Sequence, residues 1–357
     1  MVTAGSAWPR RLWSWIDDRS GLSALAYPVP AHANTLPYVL GGVSFVSFIV
    51  LFVTGTWLAQ FYAPMPDQVR ASMDYIRSEA PLGATVRGIH FWTANILVVT
   101  VVLHMLRVFA TASFKRPREL NWLVGVALLA LTIAFAFTGT VLKWDQEAFE
   151  ALEHNNEAAA LLGGAGVFFS ESFTEAVPVL ARLYPAHVSL LPLLAVILFV
   201  AHFFLVKRHG ISPLPVEADA GIAPNGRVPP ERLTSRYSRH VGLMLGIGGL
   251  IALVALVLAI VAPPELGPIP NPTMEVTKPP FYFFWLYAFE DRFGVNGILW
   301  AGLAFFGLLV LVPALDRSPL RSLRRRRIAA ATGTLVLMAL VVLSLIVFFA
   351  PAAKHLE

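Results

Sequence analysis

Seven apolar stretches punctuate the chain, at about 36–60, 88–110, 120–143, 186–207, 240–262, 296–315 and 328–350. Each is near the roughly 20 residues that a helix needs to cross a bilayer core. Their spacing predicts an all-α membrane protein in which four spans form a first unit and three more follow. The expected units are residues 1–210, an inner-side linker at 211–239 rich in polar residues and proline, and 240–357. A long loop, about 144–185, separates spans three and four. The loop at 263–295 carries seven prolines and many aromatics, too apolar for an ordinary solvated loop, and is expected to lie back on the membrane surface. Ahead of the first span, residues 8–26 place Trp8, Trp13 and Trp15 among Arg10, Arg11 and Arg19, the composition of an interfacial helix. No cleavable signal peptide is expected, because the first long apolar run begins well in from the N-terminus.

Composition sharpens this picture. The chain is 57% apolar and only 14% charged, far from a soluble globular balance. Its net charge of +5 is not a nucleic-acid signature, because the cations are sorted by side. With the N-terminus inside, 19 of the 27 Lys and Arg fall in the N-terminal stretch and the loops after spans two, four and six. That positive-inside asymmetry orients the chain, and fits a multi-pass protein of a bacterial cytoplasmic membrane. The run at 324–327 then reads as a topology anchor or lipid-headgroup contact rather than a partner site. There is no cysteine, which rules out disulfides, thiolate ligation and thioether attachment of haem within this chain.

Four histidines fall within apolar spans, as His90 and His104 in span two and His187 and His202 in span four. The first pair is separated by 14 residues and the second by 15. At 100° per residue, these steps end about 40° short of whole turns and about 60° past them. Each pair therefore lies on roughly one helix face, with its members about 21–22 Å apart along the axis. Spans two and four run parallel, so His90 matches His187 near the outer side and His104 matches His202 near the inner side. Imidazoles within a bilayer are expensive and mark function. Two stacked bis-histidine sites are the geometry of a transmembrane dihaem electron wire, within a four-helix bundle.

Glycines repeat the same interval. Gly41 and Gly55 in span one, and Gly125 and Gly139 in span three, are each 14 apart. Those spans run opposite to the histidine-bearing ones, so Gly55 and Gly139 reach the outer level and Gly41 and Gly125 the inner one. A flat macrocycle needs neighbours without side chains. Generic small-residue helix packing is the competing explanation. Arg87, Arg107, Lys207 and Arg208 lie close enough to the histidines to meet haem propionates, or else to snorkel to the interface.

The histidine and glycine pattern, with Arg87-Gly-Ile-His90, Phe114-Lys-Arg-Pro-Arg-Glu-Leu120, Trp144-Asp-Gln146 and Lys207-Arg-His-Gly-Ile-Ser212, resembles cytochrome b of Rieske/cytochrome b complexes. It is most similar to the plastoquinol-oxidising variant, whose second histidine pair has the longer spacing, with the separate small subunit of that variant continuous here. The resemblance implies two noncovalent b haems and quinol oxidation at an outer site. One electron would pass to a Rieske iron–sulfur protein and on to a c-type cytochrome or other acceptor. The other would cross through the haems to an inner quinone, coupled to proton translocation. It also implies membrane-lipid contacts and a homodimeric complex. Two departures stand out. Val39 occupies the place of the cysteine that tethers an extra haem in the plastoquinol form, so no covalent haem is expected. The family's Pro-Glu-Trp-Tyr motif reads Pro279-Pro280-Phe281-Tyr282, which puts Pro280 where the family's proton-accepting glutamate stands. Glu275, Glu290 or Asp291 of this loop could substitute, with Glu275 ranked ahead of Glu290 and Tyr282 beside them at the outer quinol site. The missing glutamate leaves open a rival reading, a dihaem membrane anchor of another oxidoreductase without a bifurcating outer site. A transporter with intramembrane histidines is a more distant alternative.

Overall fold

The computed structural model describes residues 7–223, 225–273 and 277–351. Among these residues, seven helical segments are long and apolar enough to cross a membrane. "Outer" and "inner" name the two ends according to the charge asymmetry. Helix α1 (Ala7–Ser20) precedes the first span, α2 (Leu36–Leu58). A short outer helix α3 (Val69–Ser78) leads into α4 (Gly83–Ala110), and α5 (Glu119–Val141) returns to the outer side. Helix α6 (Gln146–Leu161) occupies the long outer loop. The fourth span is composite, with α7 (Val179–Pro185) joined to α8 (Leu191–His209) by a π-turn at Ala186–Leu190. Beyond the linker helix α9 (Pro215–Asp219) come α10 (Tyr237–Val261), the outer α11 (Phe284–Phe293), α12 (Val295–Leu315) and α13 (Arg327–Phe349). Two short strands, β1 (Pro28–Val29) and β2 (Ser235–Arg236), pair antiparallel and tie the N-terminal segment to the linker.

Span two begins five residues earlier than the apolar pattern predicts, and span four seven residues earlier. In both cases a residue that reads as a boundary, Arg87 or Pro185, is carried inside the helix. The π-turn resolves the unequal histidine spacing. Pro192 has no N–H to offer Val188, the partner an α-helix would require. The chain instead widens, and Leu191 N donates to the carbonyl of Ala186, five residues back. One extra residue is absorbed there, so 15 residues on this span do the work of 14 on a regular helix.

The expected four-helix unit is built from two close pairs, α2 with α4 and α5 with α8. The last three spans do not stay together. Helix α10 packs on α2 and α4, where close approach uses Gly88 against Ala259, Gly248 against Val46 and Gly42 against Met244. Helix α12 instead packs on α5 and α6, and α13 on α11. The loop between α10 and α11 therefore crosses the outer mouth of the bundle. Its backbone is laced to other outer elements. Gln146 N donates to Pro268 O at 3.0 Å, Gly267 N to Asp145 Oδ2 at 2.9 Å, and Asn271 N to Gln146 Oε1 at 2.6 Å. Asp145 also N-caps α6 by accepting from Ala148 N at 3.0 Å.

One charge cluster is buried rather than at the surface. Arg326, from the run at 324–327, is buried against Asp316 and donates to Phe109 O at 3.0 Å. Its neighbours Arg324, Arg325 and Arg327 stay exposed, as an anchor at the interface requires. Lys115 joins the same acid, with its ammonium 2.7 Å from Asp316 Oδ1. Helix α1 exposes Trp13 and Trp15, and the Arg19 guanidinium lies 4.4 Å from the Trp15 ring centre.

Candidate functional site

The four helices bring the histidines together at two levels. At the outer level, the ring centres of His90 and His187 are 6.5 Å apart. An iron held between two imidazoles, with metal–nitrogen bonds of about 2 Å, sets the ring centres about 6 Å apart. At the inner level His104 and His202 stand within electrostatic reach of each other. Each glycine of the repeated interval faces one of these rings. A Cβ on Gly55 would sit 3.1 Å from His90 Cε1, and one on Gly139 would sit 3.2 Å from His187 Cε1. A Cβ on Gly41 would lie 2.9 Å from His104 Cε1, whereas Gly125 leaves 3.9 Å to His202 Cε1. The glycines thus keep the imidazole edges free of side chains, which is the cradle that a planar macrocycle needs.

The outer level has a further device that the sequence pattern did not single out. Thr54 Oγ1 is 2.9 Å from His90 Nδ1, and Thr138 Oγ1 is 2.7 Å from His187 Nδ1. Each hydroxyl spends its one hydrogen on its own helix, to Val50 O at 2.7 Å and Ala134 O at 2.8 Å. A hydroxyl so engaged accepts, which favours the tautomer with the proton on Nδ1 in both histidines. That leaves Nε2 with its lone pair free to bind a metal. The signal was present as a repeated Thr-Gly dipeptide, 54–55 and 138–139. The inner level lacks this pairing, because Leu40 and Val124 precede its glycines. His202 Nδ1 is buried without a hydrogen-bond partner among the described residues.

Between the two levels lies an aromatic layer. Phe45 and Phe48 of α2 meet Phe199 of α8 at 5.2 and 5.1 Å between ring centres, and Phe48 meets Phe135 of α5 at 5.7 Å. It separates the two histidine pairs with apolar, low-dielectric material.

The cations near the histidines divide. Arg107 stacks its guanidinium 4.7 Å from the Tyr38 ring centre, while its Nε is buried and unpartnered among the described residues. A buried cation lacking a carboxylate fits an anionic group carried by a cofactor. Arg87 is committed to the crossing loop and donates to Pro264 O at 2.6 Å, although it also borders the cavity described next. Lys207 and Arg208 are exposed at the inner end of α8.

A cavity of 760 Å³ extends from His90 and His187 to the crossing loop, where Pro280, Phe281 and Tyr282 wall it. That volume suits a bound organic cofactor or substrate. Burial pushes the Tyr282 phenol up to about 12, so it stays protonated beside Thr140 and can donate a hydrogen bond. Of the acids expected here, Glu275 lies outside the described residues. Glu290 is not in the cavity wall and pairs with His154 of α6. Asp291 is exposed. The acid that does reach the cavity is Glu147, in the first turn of α6, and the sequence reading passed over it. It follows Trp144-Asp-Gln146 directly and forms an i,i+4 ion pair with Lys143, a spacing that was visible.

The chain resembles known proteins along most of its length. The family model described as cytochrome b/b6/petB matches residues 24–210, and that described as cytochrome b(C-terminal)/b6/petD matches 269–355. Cytochrome b6 of Heliobacterium mobile is 39% identical over 209 residues, which cover 56% of this chain and 98% of that protein. Cytochrome b6 of Gloeobacter violaceus is 36% identical over 211 residues, covering 57% and 98% respectively. A chain of a hyperthermophilic respiratory Complex III superposes with a TM-score of 0.81 at 25% identity, covering 96% of this chain and 94% of that one.

Proposed function

This chain belongs to the cytochrome b/b6 family, and from that premise we propose that it oxidises quinol at the outer cavity and carries electrons inward across the membrane. As a family member it is an integral membrane component of a bc-type oxidoreductase and binds noncovalent b haem. In the finer reading His90 and His187 would hold an outer haem, and His104 and His202 an inner one. Bound haem supplies one-electron iron chemistry at each level. The chain's own residues keep the porphyrin faces clear with glycine, fix the outer imidazole tautomers through Thr54 and Thr138, and insulate the two levels with phenylalanine. Arg107 would meet an inner propionate.

The observation that carries this reading is the two matched histidine levels, each faced by glycines, with the outer level opening into the cavity beneath Tyr282. The cavity's extension beyond the histidines to Tyr282 on the crossing loop supports a quinol-oxidising site over a simple dihaem anchor. We further read residues 1–210 as the dihaem unit and 240–357 as the unit that completes the outer site, joined by 211–239. The complex would contain a Rieske iron–sulfur protein and a c-type cytochrome or similar acceptor, assembled as a homodimer, with the N-terminus inside a bacterial cytoplasmic membrane. The test is to purify the complex and add quinol with its iron–sulfur subunit oxidised. Rapid reduction of b haem is expected; a complex that lacks a Rieske protein and reduces no b haem with quinol contradicts the reading.

The threonine bonds give a graded prediction. An acceptor on Nδ1–H makes the imidazole a stronger donor and favours the oxidised iron. One hydrogen bond contributes about 1 kcal/mol, which corresponds to roughly 40 mV for a one-electron couple. Thr54→Val and Thr138→Val should each raise the outer haem potential by tens of millivolts and leave the inner one unmoved, as read by redox titration of the b bands.

A further inference from the structure

Among the described residues lining the 760 Å³ cavity, Glu147 is the one carboxylate. The wall that in the family carries the acid is here Pro280, which has no ionisable group. Glu147 stands on the other wall, contributed by α6, and both it and Pro280 border a second, smaller cavity of 100 Å³. That volume has room for a few waters. It is also bordered by Glu150, His154, Thr277 and Tyr287. Glu147 therefore borders both the space where a quinol would bind and a second cavity that reaches Glu150 and His154.

Other acids nearby are committed elsewhere. Asp145 spends its oxygens on Ala148 N and Gly267 N. Glu150 accepts from Gln146 Nε2 at 2.9 Å and from Thr277 N at 3.1 Å. Glu147 is held by Lys143, which also reaches Asp145 at 3.2 Å. Burial raises the Glu147 carboxyl above the usual range, opposed by Lys143 and reinforced by Asp145 and Glu150. A carboxylate moved toward neutrality in this way is a better proton acceptor. His154, which also lines the small cavity, donates from Nδ1 to Glu150 O at 2.6 Å, so its Nε2 and the Glu290 carboxylate share the next proton.

We propose that Glu147 is the group that takes the proton from the quinol hydroxyl facing it and passes it through the small cavity toward His154 and Glu290. This rests on the quinol-oxidising reading of the outer cavity. In the balanced step, both quinol O–H bonds break and the ring loses two electrons to become quinone. One electron goes to the iron–sulfur acceptor, accompanied by the proton of the hydroxyl on that side. The other electron would be taken by the outer haem, and the second proton forms the O–H bond of the Glu147 carboxyl. The acid missing from the crossing loop has in effect moved to the facing helix, with Glu290 as the exit rather than the first acceptor.

The experiment uses the whole purified complex, with decylubiquinol and reduced menadione as benzoquinol and naphthoquinol probes. In Glu147→Gln, both b haems should remain and quinol-driven reduction of the outer haem should slow by about 100-fold. Glu147→Asp should recover part of the rate, and Pro280→Glu placed in the Glu147→Gln background should restore it further. In the wild type, the rate should fall as pH drops through the Glu147 titration, and this limb should vanish in Glu147→Gln. A redox-induced infrared band of a protonated carboxyl should vanish with it. Glu153→Gln, on the exposed side of α6, should match the wild type. A Glu147→Gln complex with wild-type rate, pH profile and infrared band overturns the assignment while leaving the quinol reading intact. A wild-type complex in which neither quinol reduces the outer haem overturns both.

Discussion

Replacing His202 or His104 with alanine should leave the purified complex with one b haem per chain, the outer one, still reducible by quinol. The two histidine levels are about 21–22 Å apart along their helices and separated by the phenylalanine layer, so loss at one level need not disturb the other. In the proposed arrangement, removing one imidazole would take away a bond to the haem iron that the apolar surroundings cannot replace. The converse variants, His90→Ala and His187→Ala, should lose the outer haem and with it all quinol-driven reduction of the inner one from the outer side. Pyridine haemochrome spectra and low-temperature b-band spectra separate the outcomes. Equal haem content in His104→Ala and the parent complex would overturn the ligand assignment.

An equally large effect is expected from glycine to valine at the haem faces. Gly139 already leaves only 3.2 Å between a would-be Cβ and His187 Cε1, and Gly55 leaves 3.1 Å to His90 Cε1. Two further methyl groups would crowd the imidazoles and the space proposed for the haem, and a packed bundle cannot give way by that much. Gly139→Val and Gly55→Val should therefore abolish the outer haem while the inner haem persists. Smaller changes should sort the inner level. Gly125→Ala meets nothing closer than Met105 Sδ at 3.8 Å and should keep both haems. Gly41→Ala presses to 2.9 Å of His104 Cε1 and should shift or weaken the inner haem. Uniform tolerance at all four positions would mean that the glycines serve ordinary helix packing instead.

The spans and the histidine levels were legible because each rests on a period. Twenty apolar residues and a 14-residue interval are properties of the chain, and the structure gives Gly55 to His90 and Gly139 to His187 as the intervals imply. The 15-residue pair was legible only as a misfit of about 60°. Its cause, a π-turn ahead of Pro192, depends on how the helix accommodates a missing N–H, and a proline alone does not say whether it kinks, stops or bulges a helix. Thr54 and Thr138 repeated in plain view, yet their meaning needs the imidazole that each one meets. The phenylalanine layer had no signal, since 25 phenylalanines are spread through the chain. Glu147 was hidden for another reason. The outer cavity is assembled from α6 and a loop more than 120 residues away, and no interval in the sequence joins them. Reading the loop by itself therefore favoured its own acids, of which Glu290 turns out to face His154.

Haem stoichiometry of the purified complex tests the central claim most directly. Acidified acetone should extract all haem from this cysteine-free chain, at two b haems per polypeptide, and electron paramagnetic resonance of the oxidised complex should show two low-spin, bis-imidazole species. A single haem per chain, a high-spin centre, or haem that stays on the polypeptide after extraction would contradict it.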